Sequence, residues 1–106
     1  MIENNINTFI ENLGLATKKV HVNTTRPYCY EICTDVISKY DNLQELYIIL
    51  NSIFDDKSIK PLVKLFAMLC FHIIHLSVSL KTDDDKLKKE SVKKINFIQE
   101  YISNYV

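Results

Sequence analysis

The sequence predicts an all-α, single-domain bundle of about five helices packed around a buried central helix at about residues 61–80. Three observations point there. Apolar residues recur at three- and four-residue spacing in most of the chain, which is the period of a helix with one buried face. A single glycine and two prolines among 106 residues leave too little turn chemistry for an all-β fold. At 47% hydrophobic residues, a chain of this length buries a core without a metal or disulfide staple, so residues 1–106 read as one domain.

The first helix is expected over residues 2–13, where Ile2, Ile6, Phe9, Ile10 and Leu13 share one face, and Gly14 stands where a left-handed C-terminal cap is wanted. Residues 15–26 read as a loop or a short extended segment around Val20 and Val22. Pro27 pre-sets a first helical turn, and Cys29, Ile32, Cys33, Val36, Ile37 and Tyr40 carry the stripe of a second helix to about residue 40. Asp41 is expected to cap the third helix with Gln44 completing a capping-box-like pair, ahead of Leu43, Leu46, Tyr47, Leu50, Ile53 and Phe54.

After a break at Asp55–Ser58, the fourth helix starts near Pro61 and contains no charged side chain from Leu65 to Leu80. Sixteen uncharged residues fall short of the roughly 20 of a membrane span, and His72, His75, Ser77 and Ser79 interrupt them, so the segment reads as a buried core helix. Lys64, Met68, His72, His75 and Ser79 fall within one narrow arc, expected to be its edge nearest solvent. Thr82 and Asp83–Asp85 then form an acidic start for the last helix, which carries Leu87, Ser91, Ile95, Ile98, Tyr101, Ile102 and Tyr105 on its core side. Asp84 with Lys88, Asp85 with Lys89 and Glu90 with Lys94 stand at ion-pair spacing.

Charge and composition exclude several functions. Thirteen basic and thirteen acidic residues cancel, which removes any bulk pull toward nucleic acid or an anionic membrane. All basic residues but Arg26 are lysines, so the planar clamp usual at dedicated phosphate sites is missing. One glycine rules out Gly-rich nucleotide cradles. The N-terminal MIENNINTFIENL lacks the basic start and apolar run of a secretory signal, and three cysteines suit reduced thiols, so a cytoplasmic location is expected.

Chemical constellations are few. Cys29 and Cys33 on one helix and His72 and His75 on another supply a ligand set that zinc accepts, but both cysteines fall on an apolar stripe, where free Cys packs as a small hydrophobe. Cys70 with His72 or His75 has the elements of a thiol dyad, yet Cys70 stands between Leu69 and Phe71 in the most apolar part of the chain. Neither a metal, a cofactor nor an enzymatic activity is expected. Lys86 to Lys94 is a basic stretch interrupted by Glu90 and preceded by three aspartates, which reads as a solvated helix face and makes nucleic acid a minor alternative partner.

Two features suit protein recognition. Tyr28 and Tyr30 lie outside the second helix's stripe and are candidate interface anchors. If successive helices alternate in direction, Asp41 and Asp83, Asp84 and Asp85 share one end of the bundle, with Lys18, Lys19, His21 and Arg26 at the other together with Asp55 and Asp56. An acidic pole on a neutral protein suits a basic partner.

In size, helical content, cytosolic character and a composition rich in Ile and Asn, the chain resembles small all-helical bacterial immunity proteins. No motif matches residue by residue, so no functional residue carries over. The resemblance implies a non-enzymatic inhibitor that neutralises a cognate toxin, such as a basic nuclease, by stoichiometric protein–protein binding. The alternative is a viral or phage-type interaction protein that binds a host helix in a groove around the fourth helix.

Overall fold

The computed structural model describes residues 5–13 and 26–105, the side chains of Arg26, Pro27, Tyr28 and Tyr105 excepted. Helix α1 covers residues 5–13, α2 Arg26–Ser38, α3 Leu43–Asp55, α4 Pro61–Thr82 and α5 Asp85–Tyr105, with no strand among the described residues. Ile2, the Gly14 cap and the 15–25 link lie outside the described residues.

Each helix buries most of the stripe expected of it, but α3 also buries Ile49, which lay off its expected stripe, and leaves Leu43 39% exposed. Phe9 and Leu13 enter the core from α1, and Cys29, Ile32, Cys33 and Val36 from α2. Leu46, Ile49, Leu50 and Ile53 enter from α3, and Ile95, Ile98 and Ile102 from α5. Helix α4 supplies Phe66, Ala67, Leu69, Cys70, Ile73 and Ile74, and it packs against α2, α3 and α5, while α2 also meets α5. The central position follows from composition, because only a helix with almost no charge around its circumference tolerates neighbours on several sides. A radius of gyration of 13.3 Å agrees with the roughly 13 Å of a single compact domain of this length.

With 22 residues, α4 is longer than its uncharged run, because Pro61–Lys64 and Lys81–Thr82 are helical too. By length and composition alone it now reaches the dimensions of a membrane span, with 39% of its 18-residue apolar window buried.

Four local expectations are corrected. The cap of α3 is Asn42, not Asp41: its Oδ1 accepts from Gln44 N at 2.9 Å and Glu45 N at 3.4 Å, while Asp41 is exposed one residue earlier. Both residue types cap equally well, and the register of the chain at Leu43 chooses between them. Replacing Asn42 by Ala is expected to cost about 1 kcal/mol in urea denaturation, whereas Asp41→Ala should change stability by less than about 0.5 kcal/mol.

Second, Thr82 and the three aspartates do not all open α5. Thr82 ends α4, its hydroxyl donating to Val78 O at 2.9 Å. Asp83 takes a left-handed conformation (φ 54°), and the Asp84 N–H returns to Ser79 O at 3.0 Å, a Schellman-type reversal. Asp is among the few non-glycine residues that visit this region at modest cost. Asp84 then caps α5, accepting from Leu87 N at 3.1 Å, and Asp85 sits in the first turn.

Third, the polar arc of α4 is not its solvent edge throughout. Ser79 is buried, with its hydroxyl donating to Leu76 O at 2.7 Å, while Leu80 is 61% exposed. Ser91 of α5 is buried as well. Small residues in the turns nearest the α4–α5 reversal let the two helices converge there. Fourth, Tyr101, expected on the core side of α5, is exposed.

Candidate functional site

Helix α3 runs antiparallel to α4: Leu43 shares a pocket with Leu80, Tyr47 packs edge-on against Phe71, and Lys64 reaches Phe54 O. The short α2–α3 connection therefore comes to the same end of the molecule as the α4–α5 reversal. Between them opens an apolar pocket of about 390 Å³, with Tyr30, Thr34, Ile37 and Ser38 of α2, Leu43 of α3, and Ile73, Ile74, Ser77 and Leu80 of α4 in its walls. That volume lies within the range of pockets that admit ligands or partner side chains.

Asp41 is two residues from Leu43, and Asp83 three from Leu80, so chain geometry keeps both within about 11 Å of the pocket walls. Asp41 and Asp83–Asp85 are all exposed. The four have different duties. The Asp84 carboxylate is engaged with the Leu87 N–H, and Asp85 pairs with Lys89 at 3.2 Å. Asp41 and Asp83 carry no side-chain hydrogen bond or ion pair among the described residues. Of the three spaced charge pairs on α5, only Asp85 with Lys89 closes, because Asp84 is taken by capping and Lys94 stands next to His72 across the helix interface.

Tyr30 is half-buried and lines this pocket from one side, and on its other side it borders a shallower groove with Leu76, Val92, Ile95 and Gln99. The Tyr28 side chain lies outside the described residues, as do the Lys18, Lys19, His21 and Arg26 side chains of the expected opposite pole.

Cys29, Cys33 and Cys70 are free thiols buried in the core, with Cys33 directed at Phe66 O at 3.8 Å. Burial above all, then a hydrogen bond and charge interaction with Cys70, pushes the Cys33 thiol well above the usual thiol range. His75 lies in an aromatic cluster, 4.2 Å from the Phe71 ring and 6.0 Å from that of Tyr47. No group of three or more His, Cys, Asp or Glu is placed to hold a metal among the described residues.

His72 is half-buried between α4 and α5, and its pKa is lowered, first by burial and then by the neighbouring Lys94 and His75 charges. The folded state therefore binds fewer protons at this site than the unfolded chain does. The associated stability is fully present above the unfolded value of about 6.5 and is lost as pH falls toward the folded value. Urea midpoints measured from about pH 7.5 to 5 should fall less steeply for His72→Gln than for the parent. Equal slopes would remove His72 from the pH dependence.

The exposed aromatic surface on α5 belongs to none of the expected contact surfaces. Phe97 is 67% exposed and lies 6.3 Å from the ring of Tyr101. Its position outside the Ser91, Ile95, Ile98 and Ile102 stripe is the signal that would have found it.

Compared with known protein families, characterised proteins and solved structures, the chain matches none.

Proposed function

We propose that the chain is a non-enzymatic, cytoplasmic binding protein of the inhibitor or immunity kind. It neutralises a basic protein partner, such as a nuclease toxin, by forming a stoichiometric complex. The observation that supports this reading is the coincidence at one end of the bundle of an apolar pocket holding Tyr30, Leu43 and Leu80 with the exposed aspartates Asp41 and Asp83. A partner that buries an apolar anchor in the pocket and sets lysines or arginines over its rim obtains both burial and charge complementarity. Asp84 and Asp85 add to the field of the rim while serving the fold. Within this reading α4 is the core helix of a water-soluble body: α2, α3 and α5 pack against it, while Met68 and Leu80 stay exposed.

The test is affinity purification of the tagged protein from its native source, with the adjacent reading frame examined for a toxin. Recovery of a basic folded protein in one-to-one ratio, whose toxicity disappears on co-expression, is the expected result. Recovery of no such partner, or of one whose toxicity persists in the complex, rejects it.

A further inference from the structure

On the face formed by α4 and α5 there is a second, chemically opposite surface. A groove of about 610 Å³ runs between the two helices, floored by Met68 and Ile98 and flanked by Phe97. Met68 is 39% exposed and Phe97 67%, and Tyr101 continues the apolar strip one turn further along α5. Large apolar side chains gathered in one groove differ from singly scattered ones, because together they mark a surface that another molecule covers.

The charges on the groove say what kind of molecule. His72, Lys93, Lys94 and Glu90 line it, so ammonium groups outnumber carboxylates. Glu90 stands four residues before Lys94, yet the pair does not close, and neither Lys93 nor Lys94 has a carboxylate within 4.0 Å among the described residues. Two unpaired ammonium groups beside an exposed phenyl ring match a ligand with carboxylates next to apolar side chains. A polynucleotide fits less well. Glu90 lies in the groove, Asp85 stands in the first turn of the same helix, and no arginine is present on α4 or α5.

We propose that the α4–α5 groove docks an acidic amphipathic helix of a partner protein. Its apolar anchors at i, i+3/i+4 and i+7 lie on Met68, Phe97 and Ile98, and its flanking carboxylates pair with Lys93 and Lys94. This surface lies between α4 and α5, whereas the acidic-rimmed pocket is walled by α2, α3 and α4, and it takes the opposite charge, so it stands or falls independently of the inhibitor reading.

The probe is a roughly 16-residue fluorescein-labelled helical peptide with leucines at the anchor positions and glutamates beside them. A counterpart has every Glu replaced by Lys, and both are titrated against the full chain by fluorescence anisotropy at about 0.15 M salt. The acidic peptide is expected to bind with Kd on the order of 10 µM, and the basic one at least about tenfold more weakly. Lys93→Glu with Lys94→Glu should reverse that preference. Phe97→Asp should weaken the acidic peptide at least about tenfold while circular dichroism stays unchanged, because the side chain it replaces is mostly in water.

The proposal is overturned if the acidic peptide fails to bind at about 1 mM, or if the lysine reversal leaves the preference unchanged. It is overturned equally if sedimentation shows the groove closed by a second copy of the chain that Phe97→Asp releases. Tighter, steeply salt-dependent binding of a single-stranded oligonucleotide at the same lysines would assign the surface to nucleic acid instead.

Discussion

Replacing Phe66 with Ala is expected to destabilise the protein by about 3–5 kcal/mol, a large part of the roughly 5–15 kcal/mol available to a domain of this size. Phe66 is 1% exposed near the start of the central helix, and its carbonyl oxygen faces the Cys33 thiol of α2. Removing the ring takes away its transfer free energy and leaves a cavity in the helix against which α2, α3 and α5 all pack, so relaxation of one neighbour is opposed by the others. Phe97→Ala is the matched control, since the same atoms are deleted from a side chain that is 67% exposed. It should cost less than about 0.5 kcal/mol. Equilibrium urea denaturation of both variants reads the difference directly, and equal losses would mean that α4 is not the centre of the core.

The second large effect concerns binding. Asp41→Lys with Asp83→Asn changes the rim of the α2–α3–α4 pocket by three charge units without touching the carboxylates that hold structure. Asp84 is spared because it caps α5, Asp85 because it pairs with Lys89, and Asn at position 83 keeps a residue type that tolerates the left-handed turn. The variant should fold with nearly parental stability and lose about 10- to 100-fold in affinity for a basic partner, with much of the loss in association rate and with a weaker dependence on salt. Leu80→Asp, placed on a side chain that is 61% exposed at the pocket wall, should weaken the same complex through the apolar part of the site.

The sequence made the helices legible because their cores are written in period 3.6. Cys29, Ile32, Cys33 and Val36 are all buried, and Pro61 opens the fourth helix as its ring geometry suggests. The faces of α4 were less legible. With no charge from Leu65 to Leu80, only weakly polar side chains mark which side of that segment meets water, and the arc they define puts Ser79 at the edge, whereas it is enclosed where α4 and α5 converge. Helix α3 shows the same ambiguity in milder form. Leu43 and Ile49 are both apolar and lie near opposite ends of its arc, and only the position of α4 decides that Ile49 is buried and Leu43 lines a pocket.

Of the candidate site, the aspartates and Tyr30 could be named from residue type and from the alternation of helix directions, but the pocket between them could not. It is made by Ile37, Leu43, Ile74 and Leu80 from three helices, residues that in sequence look like ordinary members of apolar stripes. Phe97 and Tyr101 are the converse case, aromatic residues on α5 that the arrangement of its neighbours leaves uncovered. Periodicity gives the direction of a helix's apolar arc, and the width of arc that gets covered is a property of the packing.

The inhibitor reading requires that the protein act by stoichiometric contact through the acidic-rimmed pocket. Native mass spectrometry of the chain co-purified with its partner tests it most directly, comparing the parent with Asp41→Lys/Asp83→Asn and Leu80→Asp under identical loading. A one-to-one complex with a basic protein is expected for the parent, with its loss or strong depletion in both variants. A complex retained undiminished by both, or a parent that captures no basic partner, would contradict that reading.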